Sequence, residues 1–317
     1  MKLRHGLPLL ALTFLALAHS ADATDSWRPP RGLVQEPLWP GTPPNADMVR
    51  SQAEHSETGV NPKRFAGLPV TGVYDVSVPT LTVFPPTGKA NGAAVVVFPG
   101  GGFKQLAIDL EGTEACDWLN ARGFVCGLVK YRVPDSDHHY DPKCHCGVTP
   151  KHLTALQDAQ RAIRMVRARA KILAIDPSKV GVMGFSAGGY LVAETSTIAV
   201  SAYAPVDSLD KLSSRPDFAI ALYPGHLCRD GKSLVQGIKV TEATPPTFLL
   251  QAWDDPTDPI CGSTQYARAL AEAGVPAEVH LFAEGGHAFA LRPTGTTVDQ
   301  WLPLLDAWLA HLPVLKH

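Results

Sequence analysis

The chain predicts an α/β fold with a mostly parallel central sheet and helices on both faces. Runs continuous in apolar and β-branched residues, such as "AAVVVF" ending at Phe98 and "VGVMGF" ending at Phe185, read as strands buried on both sides. They alternate with segments of helical period, the pattern of parallel strands joined by helical crossovers. The residues suited to chemistry each follow such a run, and right-handed crossovers gather the carboxyl ends of parallel strands along one edge.

The elements follow in order along the 317 residues. Lys2 and Arg4 precede the apolar run Leu7 to Ala18, and Ala21-Asp22-Ala23 supplies small residues at a cleavage point. Residues 1–23 therefore read as an export signal, and no later stretch is long and apolar enough to span a membrane. Residues 24–70, rich in Pro, polar residues and Trp, read as an extended lead-in wrapping the surface of a single catalytic domain at 71–317. Within that domain, strands are expected at Val73–Phe84, in "AAVVVF", and at Phe124–Val133, Val180–Phe185, Phe218–Tyr223, Thr247–Trp253 and Val279–Phe282. Helices are expected at Leu110–Ala121, His152–Leu173, Gln265–Ala273 and Val298–His311.

Composition narrows the function classes. An apolar fraction of 45% and a formal net charge of −2 describe a globular chain with no electrostatic reason to bind nucleic acid. Arg161, Arg164, Arg167 and Arg169 recur at helical spacing and read as a solvated helix face. Oligomeric state is left open.

The segment "VGVMGFSAGGYLVAET" puts a lone hydroxyl, Ser186, among glycines where a buried strand turns into a helix. Small neighbours permit a sharp turn that lifts the hydroxyl to its tip, an arrangement suited to a nucleophile; the alternative is a serine capping a helix. A serine needs a base, and the base an orienting acid. In the order Ser, acid, His, the base is His287, which follows a strand in "LFAEGGHAFAL". The acid comes from "AWDDPTDP", with Asp255 preferred and Asp254 as runner-up. Pro99-Gly100-Gly101-Gly102 follows another strand, so the Gly101 and Gly102 amides, with that of Ala187, are the candidate oxyanion donors. Trp253, Tyr131 and Phe103 are candidates for lining the substrate groove, with a core role as the alternative.

The motifs "VVVFPGGGF", "LVKYRVP", "DAQRAIRMVRARA", "VGVMGFSAGG", "AGVPAEVHLFAEGGHAF" and the Asp-Asp-Pro turn resemble a family of bacterial secreted α/β-hydrolases, the esterase and acetyl-xylan-esterase-like group. The resemblance runs from about Val73 to the C-terminus. It implies the α/β-hydrolase fold and a Ser186, Asp255, His287 triad with Gly101, Gly102 and Ala187 as oxyanion hole. It also implies a serine carboxylesterase acting on short acyl esters, acetyl first among them, with a small-molecule or plant-polysaccharide ester as substrate and no cofactor. Pro99 stands where many relatives of the wider fold have His, and the loop Asp135–Gly147 departs from the family pattern. The competing readings are a serine peptidase of the same fold and a non-catalytic binding protein on that scaffold.

The six cysteines are read in the light of export. Cys116 and Cys126 lie in apolar settings and read as small core residues. Cys144, Cys146, Cys228 and Cys261 lie in expected loops and are the disulfide candidates. A Cys144–Cys146 bond would close a small strained ring, so Cys144 and Cys146 are expected to pair with Cys228 and Cys261 in one of two combinations. A metal at His138, His139, Cys144, His145 and Cys146 is the alternative, disfavoured because the spacing is not that of a structural zinc site.

Overall fold

"AVVVF" and "VGVMGF" are buried at every position because each becomes a strand covered on both faces. The computed structural model describes residues 26–49, 52–59, 64–134, 139–141, 146–148, 152–228 and 231–316. The expected export signal and much of the Asp135–Gly147 loop, with the disulfide candidate Cys144, lie outside the described residues. So does the side chain of Cys146.

The main sheet has eight strands: β1 (Gln35–Pro37), β2 (Thr80–Phe84), β3 (Ala94–Phe98), β4 (Val125–Lys130), β5 (Val180–Phe185), β6 (Ala219–Leu222), β7 (Thr247–Ala252) and β8 (Ala277–Phe282). Their order across the sheet is β1-β2-β4-β3-β5-β6-β7-β8. The pairs β1/β2 and β2/β4 are antiparallel, and every other pair is parallel. The helices are α1 (Glu114–Ala121), α2 (Leu153–Ala168), α3 (Ala170–Leu173), α4 (Ala187–Thr197), α5 (Cys261–Glu272) and α6 (Trp301–His311). From β3 through α1 to β4 the chain steps one way across the sheet, and through α2 to β5 it steps back. Right-handed crossovers of opposite direction place α1 and α2 on opposite faces. Helix α4 follows the direction of α2 and packs against it. Helix α6 returns to α1, where the Arg122 guanidinium binds Asp306 with both Nε and a terminal nitrogen.

The lead-in is part of the sheet. Its strand β1 pairs with β2, and Leu38 and Trp39 beside it are buried. The Trp39 indole donates to Asp158 at 2.8 Å, and Asp158 is in turn gripped by the fully buried Arg132 through Nε at 2.8 Å and a terminal nitrogen at 2.9 Å. The expected single strand Val73–Phe84 is two. Thr71–Tyr74 joins a small sheet with His55–Thr58 and Gln105–Ala107, and the chain turns at Asp75 (φ 53°) before β2 begins. Alternation continues through that turn, so periodicity alone does not reveal it.

Two expectations are corrected. The arginines of α2 are not a solvated face. Arg161 and Arg164 are buried: Arg161 binds Asp207 and Asp210, and Arg164 donates to the Leu212 carbonyl and the Tyr203 hydroxyl. Arg167 binds Asp217, and Arg169 reaches Glu36 of the lead-in. The charges satisfied here come from segments distant in sequence, which helical spacing cannot register. Cys116 and Cys126 form a disulfide rather than two core thiols, because α1 and β4 bring their Cα atoms to 5.3 Å.

Candidate active site

The turn after β5 is built on close approaches that exclude side chains. A Cβ at Gly184 would meet the Gly188 carbonyl oxygen at 2.2 Å, and one at Gly188 would meet the Phe98 carbonyl oxygen at 1.9 Å. Between them Ser186 takes φ 50° and ψ −116°, a conformation costly for a residue with a side chain and held by its surroundings. Its N–H donates to Leu222 of β6, and its carbonyl accepts from Tyr190 of α4 and from Gly225. The hydroxyl is thereby fixed at the carboxyl edge of the sheet, at the start of α4.

His287 arrives after β8. Its Nε2 lies 2.9 Å from Ser186 Oγ and its Nδ1 lies 2.7 Å from Asp255 Oδ2. An imidazole that donates Nδ1–H to the carboxylate leaves Nε2 to accept the serine proton. Burial opposes charge on both partners, but the interactions between them are stronger. The hydrogen bond and charge of Asp255 raise the His287 pKa above the ordinary histidine range, with Asp258 and Glu111 adding to the effect. The carboxyl of Asp255 is held below the usual range by His287 and by the backbone amides of Asp258 and Thr257. Asp254 is placed elsewhere: it accepts the Gly286 amide at 2.8 Å and shapes the turn that carries His287.

Gly101 (φ 130°) and Gly102 (φ 65°) line the same cavity as Ser186 and His287, and Ala187 follows Ser186 as the first residue of α4. The cavity holds about 350 Å³ and its walls are mostly apolar. Phe65, Val70, Ala107 and Leu110 contribute apolar lining, and Gln105, Glu111, His226, Thr257 and Asp258 contribute polar atoms. Phe103 and Tyr131 are fully buried in the core, while Trp253 is exposed at the edge.

Glu111 and Tyr223 escape a reading of the sequence. Glu111 is buried and accepts the Gly100 amide at 2.8 Å and the Tyr223 hydroxyl at 2.8 Å. Tyr223, itself buried, accepts the Ala290 amide at 3.2 Å and packs edge-on against the His287 ring at 5.1 Å. This bridge ties the Gly100–Gly102 turn to the turn carrying His287. Burial pushes the Glu111 carboxyl up, against the lowering effect of Tyr223, His287 and Gly100. The signal in the sequence is a pair of acids, Asp109 and Glu111, in the stretch "AIDLEG" beside apolar neighbours.

The expected cysteine pairings are corrected here. Cys228 bonds Cys261, with Cα atoms 5.9 Å apart, so neither is available to Cys144 or Cys146. Strands β6 and β7 are neighbours, and the segments leaving them run side by side; that adjacency brings the two cysteines together.

Residues 151–312 match the model of the prolyl oligopeptidase family, and residues 82–204 match the BD-FAE model. An acetylxylan esterase of Xylanibacter ruminicola is 30% identical over 239 residues, which are 71% of this chain and 47% of that protein. Endo-1,4-beta-xylanase B of Butyrivibrio fibrisolvens is 24% identical over 233 residues, 68% of this chain and 35% of that protein. The chain thus spans about half or less of the length of these curated relatives. Among solved structures, an acetyl ester-xyloside bifunctional hydrolase from Caldicellulosiruptor lactoaceticus superposes with a TM-score of 0.65 at 27% identity, covering 94% of this chain and 100% of that one. A propionate-bound esterase of Thermogutta terrifontis gives a TM-score of 0.62 at 25% identity, covering 76% of this chain and 92% of that one. The fold is that of the α/β-hydrolases. Among the described residues no helix is long and apolar enough to cross a membrane.

Proposed function

The chain belongs to the prolyl oligopeptidase family, and from that premise we propose that it is a serine esterase removing short acyl groups, acetyl first among them, from carbohydrate esters. One observation carries the reading: Ser186 Oγ, His287 and Asp255 form a continuous hydrogen-bonded chain that opens into a small, mostly apolar cavity. In this mechanism His287 takes the Ser186 proton as the hydroxyl oxygen attacks the ester carbonyl. The Gly101, Gly102 and Ala187 amides stabilise the oxyanion, and the alcohol leaves with the proton from His287 Nε2. Water then repeats the sequence and frees the acid. Asp255 stabilises the imidazolium in both halves and orients the ring.

Relatives named as an acetylxylan esterase and an acetyl ester-xyloside hydrolase support an acetylated plant polysaccharide as the substrate class. Two disulfides fit export to an oxidising compartment, the periplasm or the exterior, with residues 1–23 as the removable signal. Peptide hydrolysis is the second reading, favoured by the family match alone. The test compares p-nitrophenyl acetate, acetylated xylan, long-chain p-nitrophenyl esters and an aminoacyl anilide as substrates of the purified chain. The proposal expects the acetyl compounds to be cleaved fastest. Cleavage of the anilide without the esters would establish a peptidase, and turnover rising steadily with acyl length would establish a lipase-like enzyme.

A further inference from the structure

We propose that Asp258 reads a hydroxyl on the carbon adjacent to the ester in the leaving alcohol, which makes the enzyme selective for esters of vicinal diols such as sugar rings. This rests on the esterase reading above. The leaving oxygen takes its proton from His287 Nε2, so it must sit within hydrogen-bonding reach of that atom. The Asp258 carboxylate lines the cavity at that position, with Oδ2 3.9 Å from His287 Nε2. A hydroxyl next to the leaving oxygen, one carbon further on, comes within reach of Oδ2. A carboxylate only accepts hydrogen bonds, so it matches a hydroxyl donor and offers nothing to a bare methylene.

The carboxylate is built into place. Its Oδ1 accepts the His226 amide at 3.0 Å, and the backbone N–H of Asp258 donates to Asp255 at 3.0 Å. Gly225, whose amide binds the Ser186 carbonyl, leaves room for it: a Cβ there would stand 2.8 Å from Asp258 Oδ2. The Cys228–Cys261 disulfide clamps the two segments that supply His226 and Asp258. Phe65, Val70, Ala107 and Leu110, which also line the cavity, suit an acyl methyl.

The test uses a pair of acetates differing by one hydroxyl, trans-2-hydroxycyclohexyl acetate and cyclohexyl acetate. Their kcat/KM ratio is divided by the ratio of their alkaline hydrolysis rates to remove intrinsic reactivity. The wild type should favour the hydroxylated ester by about tenfold or more, the size expected for a hydrogen bond to a charged group. Asp258→Ala and Asp258→Val, which leave no side-chain acceptor or donor and are checked for folding by circular dichroism, should bring the corrected ratio near unity. Any change in His287 basicity acts on both substrates and cancels in the ratio. A wild-type ratio near unity overturns the inference without recourse to a variant, as does a ratio that survives in either variant. If the wild type cleaves neither acetate while cleaving the anilide, the esterase reading itself has failed, a result distinct from an active esterase that ignores the hydroxyl.

Discussion

The carboxyl edge of the sheet and the arginine face of α2 both bury charge, but they hold it in different ways. Along α2 each guanidinium meets carboxylates or carbonyls from distant segments, on regular helical backbone. At the sheet edge the backbone is strained: Phe103, Ser186, Tyr223, His226 and Ala288 all have positive φ. There the carboxylates of Glu111 and Asp258 border a cavity instead of facing a fixed cation. One region uses charge to lock the lead-in and the 201–217 segment onto the domain. The other keeps polar atoms facing space that a substrate can enter. Strain concentrates where atoms must be presented.

That contrast breaks if a site residue governs stability or an α2 arginine governs chemistry. The largest effect is expected at Ser186. Ser186→Ala should lower ester turnover by roughly 10³-fold or more with the fold intact, measured by kcat and by thermal unfolding. Next comes the acid: Asp255→Asn should cost on the order of 10³-fold, and Asp254→Asn less than about tenfold, since the asparagine side-chain oxygen can still accept the Gly286 amide. The reverse ranking would move the orienting role to Asp254. On the other face, Arg161→Ala removes the buried guanidinium that joins Asp207, Asp210 and the Leu38 carbonyl and should cost about 3–5 kcal/mol in denaturant unfolding, with turnover per folded molecule near wild type.

Smaller effects sharpen the comparison. Removing the Cys228–Cys261 bond by the paired substitutions Cys228→Ser and Cys261→Ser should cost about 2–4 kcal/mol in denaturant unfolding. Glu111→Gln keeps the shape of the bridge and removes a negative charge near His287. We expect kcat/KM to fall about tenfold. The negative charge helps raise the His287 pKa, so its loss lowers that pKa and keeps the base neutral to lower pH; the acid limb of the profile should therefore move down. A lowered rate with an unmoved limb would mean that Glu111 acts through its hydrogen bonds alone.

Much of the fold was legible because burial on both faces writes itself into continuous runs. β3 and β5 are recognisable as AVVVF and VGVMGF. Ser186, Asp255 and His287 could be nominated because each follows a strand, and parallel strands send such residues to one edge. What the sequence concealed depends on distance in space. The Cys116–Cys126 bond spans a helix and a strand whose apolar patterns also suit free thiols. The burial of Arg161 rests on carboxylates at 207 and 210, and Glu111 finds its partners at Gly100 and Tyr223. A periodic pattern reports which side of an element faces inward, but not which charge waits there.

The central claim is that Ser186 is a nucleophile activated by His287. Treating the protein with diethyl p-nitrophenyl phosphate, then following released p-nitrophenol, intact mass and peptide mapping, tests it most directly. The serine oxygen would bond to phosphorus and expel p-nitrophenolate, leaving on the protein a mass that hydrolysis of the reagent by water does not leave. The expected result is one diethylphosphoryl group per chain, located on Ser186, with ester hydrolysis lost in proportion. Full ester hydrolysis after treatment, or inactivation with the group on another residue, would contradict the account.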